Sequence, residues 1–304
     1  MGSRSNSPVA LVTGALGFTG RYVCQSLQAA GYEVHGWSHK AEGSGSAKYV
    51  AEVDLLDRAA VSESLSAIRP DFVVHLAAIS FVAHGDADEI YRTNIVGTRN
   101  LLSGLDAKGS TLSHVLLASS ANIYGNASGL VDESTAVSPQ NDYAVSKLAM
   151  EYMAMQFAEH LPLTLVRPFN YTGVGQSAHF LLPKIVRHFQ RREPIIELGN
   201  LDVSRDFNNV RNVAAIYEKL LSLPAAGETY NVCSGVEHSL HEVIEQMQEI
   251  SGRTIEVRVN PAFVRAHEVK RLVGNPRKLT AAIGELPEFS LEDTLRWMYA
   301  ADSV

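Results

Sequence analysis

Cysteine is nearly absent, with two in 304 residues, Cys24 and Cys233. Two thiols far apart in sequence make neither a disulfide framework nor a zinc-ligand pattern, and they fit a reducing cytoplasm. No apolar run approaches the roughly 18 residues of a membrane span. The opening segment Met1–Pro8 lacks the apolar stretch of a secretion signal. Basic excess is missing too: 26 Lys plus Arg stand against 33 Asp plus Glu, a formal net charge of −7. That excludes the footprint of a general nucleic-acid binder. The histidines are scattered; His238 and His241 lie close together, but no further ligand joins them, so no metal is expected. No internal repeat occurs, and only residues 1–7 and Gly43–Ser46 are of low complexity. The remainder is ordinary: 46% hydrophobic and 19% charged residues, long enough to bury a core without staples.

Short β-rich runs alternate with helical patterns through the first half. Strands are expected at Pro8–Gly14, Glu33–Ser38, Tyr49–Leu55, Asp71–Ala78, His114–Ser119 and Leu163–Arg167. Helices are expected at Phe18–Ala30, Ala59–Arg69, Asp88–Leu105 and Asp142–His160. Strands alternating with helices predict an α/β fold with a parallel, doubly wound Rossmann-type sheet. The second half has shorter elements: helices near Phe180–Arg191 and Val210–Leu221, and strands at Glu228–Val232 and Thr254–Val259. Two further helices open at Ser239 and Ser290, the first with a capping box to Glu242. The expected division is a tail over 1–7, a dinucleotide-binding domain over 8–170 and a smaller α/β substrate domain over 171–304, with the chain able to cross back to the sheet.

Three features carry chemistry. Between the first strand and first helix runs TGALGFTG, placing Gly14, Gly17 and Gly20 where a backbone must turn tightly and approach a pyrophosphate at a helix N-terminus. After the second strand stand Ser38, His39 and Lys40 with no carboxylate. That segment favours the 2′-phosphate of NADP(H) over the ribose of NAD(H), which stays possible. Asp54 and Leu55 are expected against the adenine, with a helix-capping role for Asp54 as the alternative. Thirdly, Tyr143 and Lys147 sit four apart in a helical pattern, so they share a face. An ammonium beside a phenol stabilises the phenolate and makes a usable general acid/base. Ser120, beyond the carboxyl end of the fifth strand, is placed to hydrogen-bond a substrate carbonyl. His75, Cys24, Phe189, Trp297 and Met298 are expected to be core.

The pieces TGALGFTG, DLLD (54–57), HLAA (75–78), TNIVGT (93–98), SSANIYG (119–125), YAVSK (143–147) and RPFN (167–170) together resemble the extended short-chain dehydrogenase/reductase family, specifically its nucleotide-sugar branch. The resemblance spans nearly the whole chain. It implies a catalytic set of Ser120, Tyr143 and Lys147. It implies cofactor contacts from Phe18, Thr19, Leu76, Ala77, Ala78 and Asn94 besides the residues above, with Asn94 also ordering the active-site helix and a water and Lys147 on the nicotinamide ribose. Ser80, Ala121, Asn122 and Asn170 would line the sugar pocket. The runs RPFNYTGVGQ (167–176), RDFNNVRNV (205–213) and RAHEV (265–269) resemble members acting on GDP-mannose derivatives. By that likeness Arg205 and Arg265 would hold phosphate and Glu268 a ribose. The family's sugar dehydratases carry acids just after the catalytic hydroxyl; Ala121 and Asn122 cannot play that part. The implied reaction is NADPH-dependent reduction of the C4 ketone of a GDP-linked 4-keto-6-deoxy sugar. The rivals are a nucleotide-sugar 4-epimerase with bound NAD and an idle dinucleotide-binding regulator. The two long helices resemble those that form a four-helix homodimer interface in the family, with Met150, Met153, Ala154 and Phe157 as the apolar reach of the second; burial of these on the chain's own sheet is the alternative.

Overall fold

A computed structural model describes residues 7–40, 47–80, 85–107, 112–127, 129–224, 227–264, 269–285 and 289–301. It divides into two compact units. The first comprises 1–123, 139–167 and 214–230; the second comprises 124–138, 168–213 and 231–304. No helix among the described residues is long and apolar enough to cross a membrane.

A seven-stranded sheet dominates the first unit. Its strands are β1 (Val9–Thr13), β2 (Glu33–Ser38), β3 (Tyr49–Glu52), β4 (Phe72–His75), β5 (His114–Ala118), β6 (Leu163–Pro168) and β7 (Thr229–Val232). Their spatial order is β7-β6-β5-β4-β1-β2-β3, and β1 to β6 pair in parallel. The order reverses beside β1, so the carboxyl ends of β1 and β4 flank the switch point where such sheets bind ligands. The helices are α1 (Phe18–Ala29), α2 (Arg58–Ile68), α3 (Ala87–Tyr91), α4 (Thr98–Asp106) and α5 (Asp142–Met155). Local chemistry fixes their ends. Asp57 caps α2 by accepting from Ala59 and Ala60 N, and Arg69 ends it at φ 48 before Pro70. Asn141 caps α5 by accepting from Ala144 N at 2.9 Å. On one face of the sheet Leu11, Val73, Val115, Leu117 and Leu165 alternate inward and meet Leu101, Leu102, Leu105, Met150, Met153 and Ala154 of the helices. That apolar stripe, at helical period on one partner and period two on the other, seats α4 and α5 on the sheet.

Two long helices differ from expectation. The stretch 88–105 is not one α-helix: a π turn, Arg92–Gly97, separates α3 from α4. The helix begun at Asp142 ends at Met155 rather than reaching His160. There Gln156, Phe157 and Ala158 bond back to residues three earlier, a tightened turn ahead of Pro162. Several strands are also shorter than expected, β3 ending at Glu52 and β4 at His75.

The second unit has its own core of Leu182, Ile185, Val186, Phe189, Ile196, Leu198, Val243, Met247, Leu295 and Met298, among others. It contains a four-stranded sheet of strands only two to four residues long. The helix Leu240–Ser251 starts with the expected capping box of Ser239 and Glu242, and Leu291–Ala300 with one of Ser290 and Asp293.

Candidate active site

The glycine loop is built as a close-approach turn. Gly14 has φ +70, and a Cβ there would lie 3.0 Å from Ala77 N; at Gly20 it would collide with the Gly14 carbonyl oxygen. Gly17 N donates to Gly14 O at 3.0 Å and occupies the N-cap of α1, where no side chain caps the helix and no acid stands in the first turn. Such a cradle, filled by any side chain and bearing the positive end of a helix, fits a dinucleotide pyrophosphate. Phe18 and Thr19 open that helix, both half-buried. The Thr13 hydroxyl fixes the opposite wall, accepting from Leu76 N (3.2 Å) and Ala77 N (3.1 Å). Ala78 follows, half-buried, and Ser80 is exposed.

His75 is a core histidine. Its ring bridges Thr13 Oγ1 (2.7 Å) and Thr98 Oγ1 (2.8 Å). Burial, with a smaller push from the Lys147 charge, lowers its pKa to about 3. Cys24 is likewise buried, its thiol pushed up to about 12 by desolvation.

At the end of β2, Ser38 is half-buried and His39 and Lys40 are exposed; Ser38 Oγ accepts from Lys40 N at 3.4 Å. No carboxylate stands there. Asp54 does not cap α2, since Asp57 does; it closes a turn by accepting from Leu56 N at 2.9 Å. Leu55 is buried against Gly97, and its carbonyl takes Asn100 Nδ2 at 2.9 Å.

The Ser120, Tyr143 and Lys147 side chains are all buried within the first unit. Ser120 follows β5, and its Oγ accepts from Asn122 N at 3.2 Å, which leaves the O–H to donate. Ala121 is buried and Asn122 half-buried. Lys147 Nζ donates to Ala118 O at 2.8 Å, a tie between α5 and the carboxyl end of β5. Burial lowers its pKa from 10.5 to about 8, opposed by the Glu151 charge.

Asn94, in the π turn, ties the active-site helix to the loop after β4. Its Oδ1 accepts from Ile79 N (2.9 Å), and its Nδ2 donates to Ile79 O (3.1 Å) and Ser146 Oγ (2.9 Å). Ser146 in turn donates to Tyr143 O at 2.7 Å. A continuous chain thus runs from the loop after β4 to the backbone of Tyr143. The motif YAVSK alone gives Ser146 no role beyond spacing, and Glu151 lies outside it. The Glu151 carboxylate receives the Arg167 guanidinium as a fork, Nε–Oε1 3.0 Å and Nη2–Oε2 2.7 Å. The available signal is position: Tyr143, Lys147 and Glu151 recur every fourth residue, one column on α5.

In the second unit, Asn170 is exposed and Arg205 half-buried. The Arg205 Nη1 donates to Ser204 O (2.8 Å) and Lys270 O (3.0 Å). Arg265 and Glu268 lie outside the described residues.

Comparison with known proteins places the chain in a family. The family model described as the NAD dependent epimerase/dehydratase family matches residues 10–233. A GDP-6-deoxy-D-talose 4-dehydrogenase of Aggregatibacter actinomycetemcomitans is 35% identical, covering 95% of this chain and 96% of its own. A GDP-6-deoxy-D-mannose reductase of Pseudomonas aeruginosa is 36% identical over 75% of this chain and 78% of its own. Among solved structures, a candidate epimerase from Burkholderia cenocepacia J2315 is 50% identical with TM-score 0.91, covering 98% and 100% of the two chains. RMD from Pseudomonas aeruginosa complexed with NADPH is 32% identical with TM-score 0.84, covering 97% of each. With this match across most of its length, the chain belongs to the NAD dependent epimerase/dehydratase family.

Proposed function

We propose that this chain is a GDP-4-dehydro-6-deoxy-D-mannose reductase, which uses NADPH to reduce the C4 ketone to GDP-D-rhamnose or its C4 epimer. The observation that carries the reading is the buried column of Tyr143 and Lys147, with Lys147 bonded to Ala118 O two residues before the buried Ser120. Two relatives named for GDP-6-deoxyhexose oxidation or reduction support the substrate class.

When bound, NADPH supplies the hydride. Gly14, Gly17, Phe18, Thr19 and Gly20 would hold its pyrophosphate; Ser38, His39 and Lys40 its 2′-phosphate; Asp54, Leu55, Leu76, Ala77 and Ala78 its adenosine side and the floor. Ser120 donates to the ketone oxygen and polarises it. Tyr143 gives its phenolic proton to the developing alkoxide. The Lys147 ammonium makes the resulting phenolate less costly, and its remaining N–H donors suit the nicotinamide ribose. Much of the acceleration comes from holding the ketone and these donors aligned. Asn170, Arg205, Arg265 and Glu268, with Ser80, Ala121 and Asn122, would bind the GDP-sugar; the arginines suit bidentate phosphate contacts. Dehydration is disfavoured because neither Ala121 nor Asn122 can act as the acid or base that removes water.

The test is incubation with NADPH and GDP-4-dehydro-6-deoxy-D-mannose, with NMR of the product sugar. Net NADPH oxidation and an axial or equatorial C4 alcohol support the reading. Copurified NAD with no net consumption would replace it with the 4-epimerase reading, which the likeness to the Burkholderia candidate epimerase favours. Tight NADPH binding with no turnover of any ketosugar would leave an idle binder.

The proposed partner is a second copy of this chain. Val96 of the π turn and Val145, Tyr152 and Met155 of α5 are exposed, Tyr152 by 69%. Those two segments pack together in one copy, so two copies would form a four-helix bundle. Tyr152→Glu should shift sedimentation from dimer to monomer. The two cysteines, both buried and far apart in sequence, support a reducing, cytoplasmic setting.

A further inference from the structure

The Tyr143–Lys147 column continues one turn further, to Glu151. All three side chains are buried. Helix α5 is fastened to two neighbouring strands by charged groups of this column. Lys147 grips Ala118 O of β5. Glu151 takes the fork of Arg167 in β6, one residue beyond Val166, the partner of Ala118 in the sheet. Both Glu151 oxygens are engaged by that fork, so the carboxylate cannot swing onto the lysine. It acts on Lys147 from a fixed position as a neighbour four residues along the helix, inside a region where charges are poorly screened.

We propose that Glu151, locked by Arg167, is a positioning residue for the proton-transfer group: its fixed negative charge keeps the Lys147 ammonium protonated and its anchorage to β6 keeps Tyr143 in register. This inference deepens the reductase reading and rests on it for its catalytic consequence.

The electrostatic surroundings of Lys147 leave that role to Glu151. From β4 comes His75, held neutral by burial. From β5 comes Ala118 O. From α5 come Tyr143 and Glu151, and from β6 comes Arg167, forked on Glu151; of that pair Glu151 is the member whose charge acts on Lys147. The elements packed on the same helix, α3, the π turn and α4, carry Asp88, Glu89, Arg92 and Arg99, all exposed, and Asp106, paired with His160. Burial alone pushes Lys147 toward the neutral amine, and Glu151 opposes that push. A neutral amine would no longer favour the phenolate, so loss of the carboxylate should narrow the pH range over which Tyr143 works.

The test follows the Lys147 ammonium by NMR in full-length protein labelled with 15N-lysine, its signal assigned by its loss in Lys147→Arg. In parallel, kcat and KM for the ketosugar are measured across pH 6–10. Wild type should titrate near 8. Glu151→Gln should lower that midpoint by about one pH unit and move the alkaline limb of kcat equally. It should cut kcat about fivefold at pH 8 while KM changes little. Arg167→Lys keeps both charges and should restore most of the midpoint despite losing the fork. A folded Glu151→Gln with an unmoved midpoint overturns the proposal and leaves Glu151 a merely structural ion-pair partner. Should that variant not fold, Glu151→Met with Arg167→Met leaves no buried charge unpaired. An unmoved midpoint there is equally decisive against it, and a lowered one supports it. The NMR midpoint reads Lys147 whether or not the ketosugar is turned over, so failure of the reductase reading shows separately, as absent turnover in wild type.

Discussion

Lys147 in the first compact unit and Asp206 in the second are both buried, and their surroundings treat them differently. In the first, the Lys147 ammonium has three N–H donors and one described hydrogen bond, to Ala118 O. Its pKa falls from 10.5 to about 8, into the range where an enzyme works. In the second, Asp206 has no exposed surface. It accepts from Ser234 N (3.0 Å), Ser234 Oγ (2.8 Å), Gly235 N (2.8 Å) and Gly274 N (3.4 Å). Burial still raises its pKa, against all four donors. The lysine keeps spare donors for a ligand, whereas the aspartate spends its acceptor capacity tying a strand end to two loops. The number of partners thus separates a group kept ready for chemistry from one kept for architecture.

The sharpest way to break the contrast is Lys147→Met. Turnover should fall by about three orders of magnitude, yet the apoprotein should become more stable. The folded pKa lies below the unfolded one, so between about pH 8 and 10.5 the unfolded chain binds more protons and wild type gains stability as pH rises. Below pH 8 the full cost of burying the ion stands, on the order of 3 kcal/mol. Urea denaturation at pH 7 should show the gain, and it should shrink by pH 10; a less stable variant would mean that the tie to Ala118 outweighs the cost of burying the ion.

Asp206→Ala should do the reverse in the second unit. Four donors lose their acceptor, costing roughly 3 kcal/mol. Urea titration followed by Trp297 fluorescence would show it, while NADPH affinity, read from the glycine loop, stays near wild type. A change under 1 kcal/mol would mean the cluster is not a structural tie.

Arg205→Gln is the mildest. The half-buried guanidinium donates to the carbonyls of Ser204 and Lys270, bonds that a glutamine amide can partly replace. Ketosugar KM should rise about tenfold at unchanged kcat, with stability within about 0.5 kcal/mol. A fall in kcat instead would place it with the reacting groups.

Legibility in the sequence follows the same division. β-branched runs between helical stretches make the order of the large sheet readable, and glycines at 14, 17 and 20 make its first turn readable. The π turn is not, because it inserts its extra residue within a continuing apolar pattern; Asn94 is legible only through the TNIVGT likeness, not through its period. Strands of two residues in the second unit, such as Leu130–Val131 and Ser204–Arg205, have no period to detect. Ser146 and Glu151 carry a positional signal, but which strand each meets depends on sheet order, which spacing on one helix does not contain.

The central claim is that the Tyr143 phenol donates the proton that completes ketone reduction. Its most direct test is Tyr143→Phe, assayed for NADPH oxidation with GDP-4-dehydro-6-deoxy-D-mannose and for NADPH binding by fluorescence. The account predicts a loss of turnover of about a hundredfold or more with cofactor affinity within a few fold of wild type. Retained turnover, or a collapse of NADPH binding in a folded variant, would contradict it.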